Sequence, residues 1–145
     1  MTTVLLDTNV LIYPFDARDP EKAARAEQVL GVLSERRMGC LSVQSLAEFM
    51  NATRKLGITP AQAQTHIQRF SQIFAVYDLT LPIVFEAARG VRDHQLAYYD
   101  AQIWAVAKLN QVSVIFSEDF RSGTTLEAVR FVNPFAPIFE IADWT

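Results

Sequence analysis

The sequence predicts a three-layer α/β/α sandwich with a mainly parallel central sheet. Three observations carry that prediction. A short continuous apolar run, the composition of a strand buried on both faces, occurs at Val4-Leu5-Leu6, and a β-branched and aromatic strand runs from Val112 to Phe116. Longer stretches with apolar residues at helical spacing alternate with these strands, the order of a βαβ chain. Half of the 145 residues are apolar and a fifth are charged, enough for one domain, residues 1–145, with a substantial core.

Val4 to Leu6 is the first strand and stops abruptly at Asp7-Thr8-Asn9, after which a helix begins. Asp19-Pro20-Glu21 is a helix start, with Asp at the N-cap and Pro at the first helical position. Ala23, Ala26, Val29, Leu30 and Leu33 continue it from about Pro20 to Arg36. Gly39-Cys40-Leu41-Ser42 reads as a second strand, followed by helical composition from Val43 to about Leu56, where Gly57 stops it. Thr59-Pro60 opens a helix that reaches about Phe74. Val76 to Leu79 reads as a third strand, and a helix follows from about Pro82 to Val91. Tyr98 begins another helix that ends near Asn110. Val112 to Phe116 is the next strand, Arg121-Ser122-Gly123 a turn, and Val129 to Val132 the last strand.

Composition excludes several function classes. No apolar run approaches the roughly 18 residues of a membrane span. The first residues lack the basic and apolar regions of a secretory signal and leave no room for a transit peptide, so a cytoplasmic protein is expected. Cys40 is the only cysteine, which rules out an internal disulfide and a cysteine-based zinc site; it reads as a small buried residue on a strand. Neither His66 nor His94 sits in a catalytic pattern, and His66, among glutamines, reads as a surface residue. No glycine-rich phosphate loop is present. The net charge of −3 is not that of a protein held to nucleic acid by basic residues alone, so a nucleic-acid substrate would need positive charge from a metal.

Four acids stand out. Asp7 ends a buried strand, the place where open α/β sheets bind ligands, although an Asp there also suits a helix N-cap. Glu48 follows Ser45 by three residues, which fits a capping box; it also falls in the first turn of a helix after a strand, on the same sheet edge as Asp7. Asp100 shares a helix face with Ile103, Trp104 and Ala107, where an unpaired carboxylate is costly to desolvate. Lys108 points elsewhere. Asp119 arrives after Phe116 as Asp7 does after Leu6, with Ser117 in support and Glu118 facing the other way. If these acids converge, their mutual repulsion calls for a hard divalent cation with oxygen ligands, Mg²⁺ or Mn²⁺. The chemistry that follows is in-line hydrolysis of a phosphodiester.

Leu6-Asp7-Thr8-Asn9-Val10-Leu11-Ile12-Tyr13, Ser42-Val43-Gln44 with Leu46-Ala47-Glu48-Phe49, Tyr99-Asp100-Ala101 and Ser117-Glu118-Asp119 together resemble a PIN domain, most closely a VapC-type toxin. Val132-Asn133-Pro134-Phe135 resembles one subgroup. The resemblance implies a PIN-like sandwich and a Mg²⁺- or Mn²⁺-dependent endoribonuclease whose acidic cluster is Asp7, Glu48, Asp100 and Asp119. Asp7 and Asp100 would be the direct metal ligands, with Thr8 and Asn9 shaping the site. It also implies a homodimer and a cognate antitoxin that places a peptide, often with an arginine, in the acidic groove. The alternative is a degenerate PIN domain acting as a non-catalytic nucleic-acid or protein-binding module. A haloacid-dehalogenase-like phosphatase needs a second Asp where this chain has Asn9.

Overall fold

The computed structural model describes residues 3–145. In chain order the elements are β1 (Val4–Leu6), α1 (Thr8–Ile12), α2 (Pro20–Glu35), β2 (Gly39–Ser42), α3 (Val43–Ala52), α4 (Pro60–Ile73), β3 (Ala75–Tyr77), α5 (Leu81–His94), α6 (Tyr98–Leu109), β4 (Val114–Phe116), β5 (Thr125–Leu126) and β6 (Val129–Val132). The strands form one sheet in the order β3-β2-β1-β4-β6-β5, parallel throughout except for the pairing of β5 with β6. The chain builds outward from β1 through β2 to β3, then returns to add β4 on the other side of β1. The carboxyl ends of β1 and β4 therefore flank the point where the winding reverses, where such sheets open a crevice.

Strand alternation divides the core. Val4, Leu6, Val114 and Phe116 face one side, packed by Val10, Leu11, Val29, Leu33, Phe49 and Phe70 from α1 to α4. Leu5, Cys40, Ile115 and Phe131 face the other, packed by Ile83, Ala87, Trp104 and the alanines of α6. The period of two along each strand thus produces the three layers. Cys40 is buried, its thiol donates to the Val4 carbonyl at 3.4 Å, and burial pushes its pKa up to about 12, so it acts as a small core residue.

Local chemistry sets the helix starts. Asp19 accepts from the Lys22 amide at 3.1 Å, with Pro20 at the first helical position. Thr59 and Gln62 form a reciprocal capping box at α4. Gly57, at φ +77°, ends the 3₁₀ turn Thr53–Leu56 into which α3 tightens. The α-helix expected to reach Leu56 therefore ends at Ala52.

Three further differences from the expected elements have physical causes. The third strand is Ala75–Tyr77, because only this stretch finds β2 as a partner. The strand expected from Val112 begins at Val114, opposite Val4. The short strand β5 has no sequence signal: its turn to β6 places Glu127 and Ala128 at φ +48° and +71°, where glycine or asparagine would mark a hairpin. The Glu127 carboxylate is held there by Arg89, His94 and Lys108, which ties the turn to α5 and α6. His66 is half-buried, its ring 4.4 Å from that of Phe15, so it is not the surface residue expected.

Helices α5 and α6 pack closely because Gly90 lies under Trp104. A Cβ at Gly90 would stand 2.9 Å from the Trp104 ring, which is fully buried and has no room to move. Gly90→Ala gains about 1 kcal/mol of helix propensity. The overlap outweighs it, and a net loss of about 1–2 kcal/mol is expected, measured as a lower urea midpoint. A variant at least as stable as the parent would contradict this packing.

Candidate active site

Register brings the first two site residues together. Leu6 lies opposite Phe116, so Asp7 and Ser117, the next residues on each strand, are also neighbours. The Asp7 amide donates to the Phe116 carbonyl at 3.0 Å and the Ser117 amide to the Val132 carbonyl at 2.9 Å, which fixes both backbones. Ser117 Oγ donates to Asp7 Oδ2 at 2.7 Å, while Asp7 Oδ1 accepts from the Thr8 amide at 2.8 Å. Asp7 is thus both an N-cap, of α1, and a member of the acidic site.

Ser117 also accepts from the Asp119 amide at 3.1 Å and from Asn9 Nδ2 at 3.4 Å. Asn9 Nδ2 donates to Asp119 Oδ2 at 3.3 Å, and its Oδ1 accepts from the Glu118 amide at 3.3 Å. One asparagine therefore clamps the loop that carries Asp119. Glu118 turns away as expected: it accepts from the Tyr13 hydroxyl and pairs with Lys22 at 2.6 Å.

Glu48 reaches the same place from α3. Ser42, not Ser45, caps this helix, accepting from the Ser45 amide at 3.3 Å, so Glu48 lies in the second turn and forms no capping box. Its Oε2 accepts from the Thr8 hydroxyl at 2.6 Å and its Oε1 from Gln44 Nε2 at 2.8 Å. Asp100, in the first turn of α6, is half-buried.

Electrostatics links the four acids. Burial, reinforced by Asp119 and Glu48, pushes the Asp7 carboxyl up to about 6 despite its hydrogen bonds from Ser117 and Thr8. Burial, then Asp119 and Glu48, also raises the Asp100 pKa. Among the described residues none of the four forms an ion pair. By contrast, Glu86, Glu118 and Glu127 each face Arg or Lys, and the Lys108 ammonium goes to Glu86 and Glu127. Arg36 donates to the Thr145 carbonyl and Arg92 pairs with Asp93, so these cations are engaged elsewhere.

The donor set is all oxygen and uncompensated in charge, which fits a hard divalent cation such as Mg²⁺ or Mn²⁺. Among the described residues, no three His, Cys, Asp or Glu side chains gather closely enough to hold a metal ion as they stand. Each of Asp7, Glu48 and Asp119 is held by neutral donors of its own scaffold.

Sequence reasoning gave no role to two residues here. Gln102 Nε2 donates to Gln44 Oε1 at 2.7 Å, and Gln44 Nε2 also reaches the Tyr99 carbonyl at 3.2 Å. Both glutamines are buried. The only signal for Gln102 is that it is the one polar residue in the buried run Ala101 to Ala107.

The fold is thus a mainly parallel α/β sandwich with acids near its switch point. The PIN domain family matches residues 4–132, and the chain belongs to that family. Among curated proteins none matches the chain. Solved structures share the fold. A toxin–antitoxin complex from Klebsiella pneumoniae superposes with a TM-score of 0.69 at 21% identity, covering 91% of this chain and 98% of that one. The VapC toxin of Mycobacterium tuberculosis that cleaves the sarcin–ricin loop gives 0.68 at 21%, covering 88% and 99%. A DNA-bound VapBC from Salmonella typhimurium gives 0.65 at 18%, covering 90% and 97%. No helix among the described residues is long and apolar enough to cross a membrane.

Proposed function

We propose that this chain, read as one domain over residues 1–145, is a Mg²⁺- or Mn²⁺-dependent endoribonuclease, the toxin of a type II toxin–antitoxin pair. The observation that carries the reading is the set of four acids without cationic partners at the switch point of a PIN fold. Asp7 and Asp100 are the direct metal ligands, and Glu48 and Asp119 complete the acidic cluster. Thr8 and Ser117 hold Glu48 and Asp7 by neutral hydrogen bonds, and Asn9 holds Asp119, so the carboxylates keep their charge for a cation. When bound, that cation lowers the pKa of an attacking water and offsets the charge that develops on the phosphodiester. The chain's mild net negative charge agrees with a site where metal, rather than a basic face, draws the phosphate.

Its fold neighbours include a VapC toxin and toxin–antitoxin complexes, which supports a cognate antitoxin as partner. A peptide arginine entering the acidic groove would pair with the carboxylates and exclude the metal. The active form is a homodimer in the cytoplasm.

Purified protein incubated with a mixed cellular RNA pool tests the reading. Cutting is expected with Mg²⁺ or Mn²⁺ and none after EDTA. Absence of cutting under either metal, by folded protein free of any partner, would favour a non-catalytic binding module instead.

A further inference from the structure

We propose that Gln44 and Gln102 are positioning residues that set where Glu48 stands relative to Asp100. The proposal rests on the metal-dependent nuclease reading above. Glu48 lies on α3 and Asp100 on α6, two helices from opposite layers, and the two carboxylates repel each other. Gln44 bridges them: its one amide group donates both to Glu48 Oε1, at 2.8 Å, and to the carbonyl of Tyr99, the residue before Asp100, at 3.2 Å. Among the described residues no hydrogen bond tempers the Asp100 carboxyl itself, so the backbone of its helix turn carries its placement.

An amide fits this bridge where a cation would not. Arg or Lys at position 44 would hold Glu48 more strongly but would neutralise the charge a divalent metal needs. A free Gln amide can also rotate by half a turn and present oxygen, which would repel Glu48. The Tyr99 carbonyl, which can only accept, prevents that flip, and Gln102 reinforces the constraint. Gln102 Nε2 donates to Gln44 Oε1 at 2.7 Å, which fixes the oxygen on that side and aims the nitrogen at Glu48. Both glutamines are buried, at 8% and 4% exposure, so water does not compete for these bonds. Thr8 holds the other oxygen of Glu48, and the carboxylate is thereby fixed at both ends without losing its charge.

The test is Mn²⁺ binding, followed by electron paramagnetic resonance of the free ion, beside RNA cleavage. Gln44→Met keeps the side-chain length and removes the donor; it is expected to weaken Mn²⁺ binding by roughly 10–100-fold, the usual effect of losing a group that orients a metal ligand. Gln102→Met, acting through Gln44, is expected to weaken it less. In a Glu48→Gln background, Gln44→Met should add under about twofold, because the group it orients is already neutral. The double variant Gln44→Met, Gln102→Met leaves no unpaired amide between the two positions and guards against a result caused by misfolding, which circular dichroism checks. Unchanged Mn²⁺ affinity in folded Gln44→Met protein that still cuts RNA would overturn the proposal, as would equal effects with and without Glu48. A wild-type protein that neither binds Mn²⁺ nor cuts RNA would overturn the nuclease reading itself, and the proposal with it.

Discussion

Asp7→Asn is expected to lower metal-dependent RNA cleavage on the order of 10²–10³-fold, the range seen when a group that stabilises transition-state charge is lost. The asparagine has the same shape, and its oxygen still accepts from the Thr8 amide, so α1 keeps its cap. The charge is lost, and with it the attraction for a hard cation. Asp100→Asn gives the same result by a cleaner route, since among the described residues the Asp100 carboxyl has no hydrogen bond to lose. The loss should fall on both kcat and KM, because the cation that the carboxylate holds also draws the phosphate. The double variant should be scarcely slower than either single one, as expected of residues that act as a unit. Near-parental rates in either single variant would remove these residues from the active site.

What was legible in the sequence follows from how local each signal is. Val4-Leu5-Leu6 followed by Asp7 identifies both a buried strand and the point where it gives way to a helix, because burial and the break are written in neighbouring residues. Asp100 was legible because a carboxylate on an apolar helix face needs an explanation. The hairpin of β5 was not, since the ion pairs that hold Glu127 at positive φ come from α5 and α6, far off in sequence. His66 follows Ala63 by three residues and precedes Phe70 by four, so its inward face was in fact readable beneath the surrounding glutamines.

At the site, sequence spacing named the acids but not the groups that orient them. Ser45 and Glu48 satisfy the capping-box spacing, yet Ser42 is the cap, because the strand ends there and leaves Ser45 inside the helix. The chain of hydrogen bonds from Gln102 through Gln44 to Glu48 joins α6 to α3 and has no spacing to reveal it.

Metal-free protein is expected to lose stability as pH rises from about 4 to above 6. Burial pushes the Asp7 carboxyl up to about 6 in the folded chain, against 3.8 for an ordinary aspartate. Between those values the folded state holds a proton that the unfolded state has released, so stability falls with rising pH across this window. Below 3.8 both states are protonated and no loss occurs; above 6 the loss is complete, at about 3 kcal/mol for a shift of this size. Asp100, also raised, acts in the same direction. Asp7→Asn removes the buried charge but leaves the Ser117 hydroxyl without its acceptor, which costs about 1 kcal/mol. The variant should therefore be about 1–2 kcal/mol more stable than the parent at pH 7.5 in EDTA, and no more stable at pH 4. Mn²⁺ should narrow the gap at pH 7.5 by stabilising the parent alone. Urea midpoints at the two pH values measure this, and a variant less stable at both would show that the buried carboxylate is not under electrostatic strain.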